Sequence, residues 1–429
     1  MSSPEDAGSL LADDIDVYDP GLYQRGEPHA AWAALRRRAP VTRHRSDGGT
    51  PFWSVTRYAE CTRALMDPEV FSSSSGTMLA VVDGDAASGQ TILLTDPPEH
   101  TYLKSPIARL MSRHTAPGLV ADITANVRGL VEPCLAGGRH DFARLIAPLP
   151  MAAVGHLLGV PPGLWAEVAR WTMTGLAPED PAYAAGSPAE TLRLAHHELF
   201  ALFTGLIEER RESAADDLIS ALCALDFGGR KLTAEEVLLN CYTLAMGTNS
   251  TTPHVAGQLM LVLAEQPEVW RRLRAEPALV PTAVEELLRW ATPTNHLLRR
   301  ATRDTELGGV QIAAGDAVCL WIASANRDED VFDRPFRFDP SRRPNPHIAF
   351  GLGTHYCTGA RAARLVLTVL LTYLLEHFER FELVEEPRHL RSNFVNGLSS
   401  LIVEAFPLER PGERIPVPAA GIAARGGSR

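Results

Sequence analysis

Phe350-Gly351-Leu352-Gly353-Thr354-His355-Tyr356-Cys357-Thr358-Gly359 is a glycine-rich loop that runs directly into an apolar, helically patterned stretch beginning at Ala360. It places one cysteine just ahead of a helix N-terminus. Unpaired amide N–H groups and the positive end of the helix dipole stabilise a thiolate at such a position, and glycines let backbone close around the sulfur. A thiolate held in this way suits a metal ion. A lone cysteine is more often a small, inert core residue, so the reading rests on the pattern around it.

That pattern resembles the cysteine loop of the cytochrome P450 family, F-G-x-G-x-H-x-C-x-G, with all six fixed positions matched. Such loops supply the thiolate that ligates haem iron. Three further elements of the family occur in the expected order, so the resemblance covers the chain from about Asp14 to Leu408. It implies a mainly α fold with small β-sheets, the cytochrome P450 fold, as a single catalytic domain over 17–408 between flexible tails at 1–16 and 409–429. It also implies haem b as cofactor, with Cys357 as metal ligand and Phe350, Gly351 and Gly359 shaping the cofactor loop.

The first further element is Glu286-Leu287-Leu288-Arg289, similar to the family's E-x-x-R helix, with a partner arginine in Phe338-Asp339-Pro340-Ser341-Arg342. Alone, E-x-x-R is an ordinary i,i+3 ion pair. In the family context, Glu286, Arg289 and Arg342 are expected to form a buried structural triad behind the haem.

The second concerns the haem propionates, whose charges must be met if the cofactor is buried. By resemblance to H-x-x-x-R after a D-P-P-x-H turn, His100 and Lys104 are candidates, and Arg299 and His355 match two other family positions. Lys104 replaces the more common arginine, and so offers a point charge without the bidentate fork.

The third is the apolar stretch Ala234 to Leu263, expected as one long helix crossing the distal side of the haem. Where the family has A/G-G-x-D/E-T, this chain has Gly247-Thr248-Asn249-Ser250-Thr251-Thr252. Counting without gaps from Gly257, Pro267 and Glu286 puts Thr251 at the alcohol position and Ser250 at the acid position. A one-residue shift would instead make Asn249 the acid position and Ser250 the alcohol. Neither register supplies a carboxylate, so Thr251, Ser250 and Asn249 are the candidate catalytic residues for handling protons.

The rest of the chain agrees with an enzyme of this class. With 429 residues, 45% hydrophobic and 22% charged, it has material for a large core and too little charge for disorder. A net charge of −11 argues against nucleic acid as a partner. Six cysteines without CxxC spacing argue against a zinc knuckle or a disulfide framework and favour a reducing, cytoplasmic setting. No signal peptide or membrane span is read, and a monomer is expected. Helical periodicity is strongest at 121–135, 190–211, 234–263, 283–290 and 360–378; short strands are expected at 51–56, 310–312, 317–322 and 401–405.

No GxGxxG follows a strand and no GxxxxGK[ST] occurs, so no flavin or nicotinamide module is read. Electrons are therefore expected from an external ferredoxin or flavodoxin and its reductase, docking near Arg109, Arg113, Arg361 and Arg364. The segments that contact substrate in the family offer Thr77, Met78, Leu79, Val82, Leu93, Trp171, Met173, Leu176, Ala245, Asn249, Thr292, Thr294, Asn295, His296, Leu297, Phe394 and Val395. The mixture fits a mid-sized, partly polar organic molecule. The expected function is oxygen- and electron-dependent oxidation of such a substrate, C–H hydroxylation or a related reaction, in natural-product biosynthesis. Two alternatives stay open from the residues alone: intramolecular C–N or C–C bond formation or aromatic coupling without oxygen insertion, and a non-catalytic haem sensor of gas or redox state.

Overall fold

The computed structural model describes residues 15–412 apart from 27, 114–116 and 228, together with Ile415. Helices dominate, and their ends are written in the sequence. Helix Pro188–Glu212 begins in a capping box, Ser187 with Glu190, and has Pro188 at its first position; helix Ala234–Asn249 begins in a second box, Thr233 with Glu236. Helix Ala360–His377 buries nearly every residue from Leu365 to Leu375, so it runs through the core rather than along it. Around it pack Pro117–Val131, Thr252–Glu265 and Val280–Ala291 in the largest apolar cluster.

The strands are short and fall into separate small sheets. A five-stranded sheet has the order Val41–Arg45, Pro51–Val55, Ala317–Leu320, Leu297–Ala301, Phe71–Ser72. Pro51–Val55 and Ala317–Leu320 pair in parallel, Ala317 opposite Phe52, and the remaining pairs are antiparallel. A second sheet joins Phe378–Leu383, Ile402–Pro407 and Gly138–Asp141.

Several expected boundaries move. The stretch read as one helix over 234–263 is two, Ala234–Asn249 and Thr252–Glu265, with Ser250 and Thr251 between them. Pro253 is the cause: it lacks an N–H and disfavours helical geometry in the residue before it, while it is well placed near the start of the second helix. Neither the Thr251 nor the Thr252 N–H reaches a backbone carbonyl. The helix expected over 121–135 gives way at Glu132 to a tight turn, Glu132–Ala136.

The tails are shorter than expected at both ends of what is described. Ile15 is buried beside Trp32 and Trp321. Gly412 and Ile415 donate backbone N–H groups to the Glu376 carbonyl and carboxylate. Residues 1–14 and 416–429 lie outside the described residues. Among the described residues, no helix is long and apolar enough to cross a membrane.

Candidate functional site

Two elements carry the cysteine loop. Asn326 Oδ1 accepts the Ile348 N–H at 2.8 Å, and the Cys357 N–H closes the loop onto the Phe350 carbonyl at 3.0 Å. Gly351 and Gly353 take φ of 68° and 64°, which favours glycine. A Cβ on Gly353 would meet the Leu65 carbonyl oxygen at 2.9 Å, so the loop also needs glycine there to lie against helix Tyr58–Met66. Of the six cysteines, only Cys357 is exposed, and the space it meets is the interior of a cavity of about 930 Å³. Burial pushes its thiol up; the Gly359 and Ala360 N–H groups and the Lys104 and Arg364 cations pull it the other way.

Behind the loop, Glu286, Arg289 and Arg342 meet as the motif implies. Glu286 accepts from Arg289 Nε and Nη2 at 2.8 Å each, from Arg342 Nε at 3.0 Å, from the Asp339 N–H at 3.0 Å and from Asn345 at 3.2 Å. Arg289 spends its remaining donors on the Asn326 and Pro335 carbonyls. Glu286 and Arg289 are fully buried.

A second ion cluster, missed in the sequence, lies beside it. Glu285 takes a bidentate pair from Arg364 at 2.6 and 3.0 Å and a bond from His347 at 3.1 Å, and these partners, against the cost of burial, hold its carboxyl down at about 2. Arg364 also sits 4.5 Å from the Phe350 ring centre. Its charge is thus matched within the chain, unlike a free surface cation. Arg109 and Arg361 are exposed, and the Arg113 side chain lies outside the described residues. The signal for the second cluster was Glu285 preceding Glu286, with Arg364 one turn into the helix after the loop.

His100, Lys104, Arg299 and His355 all converge on the cysteine end of the cavity. The rings of His100 and His355 are 4.1 Å apart. Burial pulls His100 down to about 4, with Lys104 adding to the effect, and pulls His355 down to about 2, where Arg299, His100 and Lys104 add. Burial likewise lowers Arg299 to about 10, opposed by Asp96. His100 Nδ1 and His355 Nε2 are buried without a hydrogen-bond partner. Mutually repelling bases with orphaned polar atoms in one enclosed corner fit a group that brings two carboxylates. Lys104 differs from the other three in that its ammonium donates to the Thr354 and Tyr356 carbonyls, so it also grips the loop.

The break in the distal helix forms another part of the cavity wall. Gly247, Thr248, Ser250 and Thr251 line it. Thr251 Oγ1 donates to the Gly247 carbonyl at 3.3 Å, taking the place of the backbone N–H that the break withdrew. Asn249 turns away: its Nδ2 donates to the Ala245 carbonyl at 3.0 Å and approaches Met151 Sδ at 3.4 Å, and neither Asn249 nor Ala245 reaches the wall. Of the three candidate proton-handling residues, Ser250 and Thr251 line the cavity and Asn249 does not.

Of the remaining expected contacts, Thr77, Met78, Leu93, Leu176, Thr294, Leu297 and Phe394 line the cavity. The others do not. Leu79 and Val82 belong to the core around Trp32 and Trp321, and Trp171 packs on the cluster beneath helix Pro188–Glu212. Met173 and Val395 are buried with Leu390. Thr292 is the left-handed cap of helix Val280–Ala291, its hydroxyl bonded to the Arg289 carbonyl. Asn295 gives its N–H to Phe394, and His296 is buried between Trp321 and Phe394. The wall also includes His196, Phe200, Tyr242 and Met246, which the sequence reading missed. Their helical spacing, His196 with Phe200 and Tyr242 with Met246 and Ser250, was the signal available.

Comparison with known proteins gives the family. The Cytochrome P450 family profile matches residues 167–402. Linalool 8-monooxygenase of Pseudomonas putida is 34% identical over 407 residues, covering 91% of this chain and 99% of that protein. Among solved structures, P450 OxyD, involved in the biosynthesis of vancomycin-type antibiotics, superposes with a TM-score of 0.82 at 34% identity, over 92% of this chain and 100% of that one. A Mycobacterium marinum cytochrome P450 in complex with pseudoionone superposes with a TM-score of 0.85 at 31% identity, over 92% and 99%. From the cysteine loop, the buried triad and this likeness over nine-tenths of its length, the chain belongs to the cytochrome P450 family of oxidoreductases.

Proposed function

We propose that this enzyme holds haem b between Cys357 and the broken distal helix and oxidises a mid-sized organic molecule in natural-product biosynthesis, with electrons from an external ferredoxin or flavodoxin and its reductase. The observation that carries the reading is that one cavity is lined by Cys357, by the four basic residues His100, Lys104, Arg299 and His355, and by Ser250 and Thr251. Cys357 would supply the thiolate that holds the haem iron. His100, Arg299 and His355 offer donors to the propionates, and Lys104 adds its charge while gripping the loop. Haem, when bound, supplies dioxygen activation at the expense of two electrons.

The protein's own part is to enclose, orient and deliver protons. The wall is mostly apolar, with Ile92, Leu176, Met246 and Phe394 among its residues, so substrate binding displaces water from the reacting space. Thr251 Oγ1 holds its proton toward the Gly247 carbonyl and can exchange it with a water in the break. Ser250 offers a second hydroxyl but no acid. The OxyD likeness supports a biosynthetic role.

One observation favours a second reading, ring closure or coupling without oxygen insertion: no carboxylate stands on the wall between Gly247 and Thr252. In that reading a substrate N–H or O–H shares in proton supply, and Ser250 suffices. Product mass separates the two, because insertion adds one oxygen atom and coupling removes two hydrogens. Ser250→Glu gives the complementary test. It raises product per electron pair and lowers peroxide in a hydroxylase with a weak relay, and leaves both unimproved in a coupling enzyme. Absence of any oxidised product from a substrate that binds would overturn both readings.

A further inference from the structure

The cavity has a second polar corner, remote in sequence from the cysteine loop. His196 and Phe200, one turn apart on helix Pro188–Glu212, stack with ring centres 5.5 Å apart, and Tyr242 of helix Ala234–Asn249 stands edge-on to both at 5.4 and 5.2 Å. Across from them the segment before His100 brings Asp85 to the same wall. Its backbone is fixed by a bond from its N–H to the Ser75 carbonyl, and one carboxylate oxygen accepts the Ala87 N–H at 2.9 Å. Among the described residues no lysine or arginine pairs with it.

The charges along the wall are unevenly spent. His100, Lys104, Arg299 and His355 are gathered at the cysteine end, where the proposed propionates meet them. Arg391, the other cation on the wall, is paired with Glu179 at 3.3 Å and reaches Gln24. His196 does not neutralise Asp85 at neutral pH, because burial lowers its basicity and Asp85 only partly offsets this. Burial raises the Tyr242 phenol and Asp85 raises it further, so this ring too keeps its proton. What is left is the half-buried Asp85 carboxylate, close enough to act on His196 and Tyr242, on a largely apolar wall where, among the described residues, the exposed Glu235 is the other carboxylate without a cation. Ring faces attract cations, most strongly where water is excluded, and a carboxylate in the same place adds direct charge attraction.

We propose that this corner selects a substrate bearing a positively charged nitrogen on an otherwise apolar body, with Asp85, Phe200 and Tyr242 as its recognition residues. The proposal rests on the reading of the cavity as a substrate chamber and names the class of molecule it takes. An anion would face Asp85 unpaired, and an uncharged group would leave the carboxylate no better matched than water does. The cation would be anchored in this corner and the apolar body directed along Met246 toward the Ser250–Thr251 break.

The test uses haem-loaded protein and three ligands with one phenylalkyl body and different heads, 4-phenylbutyltrimethylammonium, 4-phenylbutanol and 4-phenylbutanoate, the Asp85→Asn comparison separating charge from the bulk of the methyl groups. The quaternary nitrogen cannot ligate iron, so calorimetric dissociation constants report the chamber alone. The ammonium compound is expected to bind about tenfold more tightly than the alcohol, and the carboxylate more weakly than either. Asp85→Asn should remove most of that preference while leaving the alcohol unchanged, and Phe200→Leu should reduce it without altering its sign. Equal binding of ammonium and alcohol, or equal weakening of both by Asp85→Asn, overturns the proposal. The carbon monoxide difference spectrum of each variant keeps this outcome distinct from failure of the haem-site reading: a normal thiolate band with no ammonium preference refutes only the substrate class.

Discussion

Replacing Glu286 by glutamine is the most severe test of the buried triad. In the native protein one carboxylate faces two guanidiniums, leaving a net charge of +1 in a place that water does not reach, and it accepts from four different groups. Glu286→Gln keeps the size but removes the one carboxylate that directly pairs both arginines, which are less than a tenth exposed, and leaves the partly exposed Asp339 as the remaining nearby acid. The amide nitrogen also points a donor at a guanidinium that can only donate. Breaking a buried pair costs about 3–5 kcal/mol, and roughly 4 kcal/mol is about a thousandfold in the folding equilibrium. Arg289→Met should cost less, because Glu286 keeps Arg342, though the Asn326 and Pro335 carbonyls lose a donor. The double variant Glu286→Leu/Arg289→Met should be less damaged than the sum of the separate changes. Denaturant unfolding followed by far-ultraviolet circular dichroism gives the three values. A Glu286→Gln protein that unfolds with the native midpoint, or strictly additive effects in the double variant, would refute the claim that the triad holds the loop support together electrostatically.

Other consequences follow at the two ends of the cavity and in the core. Cys357→Ala should abolish the carbon monoxide band diagnostic of thiolate ligation, and a surviving band would reassign the ligand. His100→Ala and Arg299→Ala should each speed haem transfer to an apo-acceptor without changing that band; unchanged rates would remove them from the propionate site. Burial lowers His254 to about 4 and His296 to about 3, both below the unfolded value of 6.5. From about pH 6.5 down to pH 4 the unfolded chain therefore binds protons that the folded chain refuses. Stability should fall with pH across that window, by up to about 2.7 kcal/mol per unit for the pair. His254→Gln and His296→Gln should each make the slope shallower, and a slope unchanged in both variants would count against buried neutral imidazoles.

The cysteine loop was legible because its constraints are local. Glycines at 351 and 353 satisfy a left-handed backbone and a close approach to Leu65, and both demands fall on single positions. The triad was legible because the motif states which residues meet. The substrate wall was not, and the reason is geometrical. On helix Ala234–Asn249 the residues Tyr242, Met246 and Ser250 share one spacing and Ala245 and Asn249 share the same one. Both faces are enclosed by protein, so periodicity cannot say which face is the wall. The same ambiguity separates Met78 on the wall from Leu79 in the core, where the Leu79 N–H is held by His296 Nε2 at 3.0 Å. The helix break was legible in principle, since Pro253 announces it, but the apolar pattern runs through it without interruption.

The break also explains how the chain can lose the customary acid and keep the family's distal architecture. Three features make the opening: Pro253 has no N–H to give, the Thr251 and Thr252 N–H groups are turned out of the ladder, and Thr251 Oγ1 caps the carbonyl of Gly247. A side chain at position 250 takes no part in any of them; the Ser250 backbone N–H still bonds to Met246 at 3.1 Å as the last turn of the first helix. Ser250 lines the cavity, so a change of its side chain leaves the backbone of the break alone. That separation permits exchange of a carboxylate for a hydroxyl without cost to the fold. In the proposed reading, the handling of protons at this point of the wall rests on that one side chain and on Thr251.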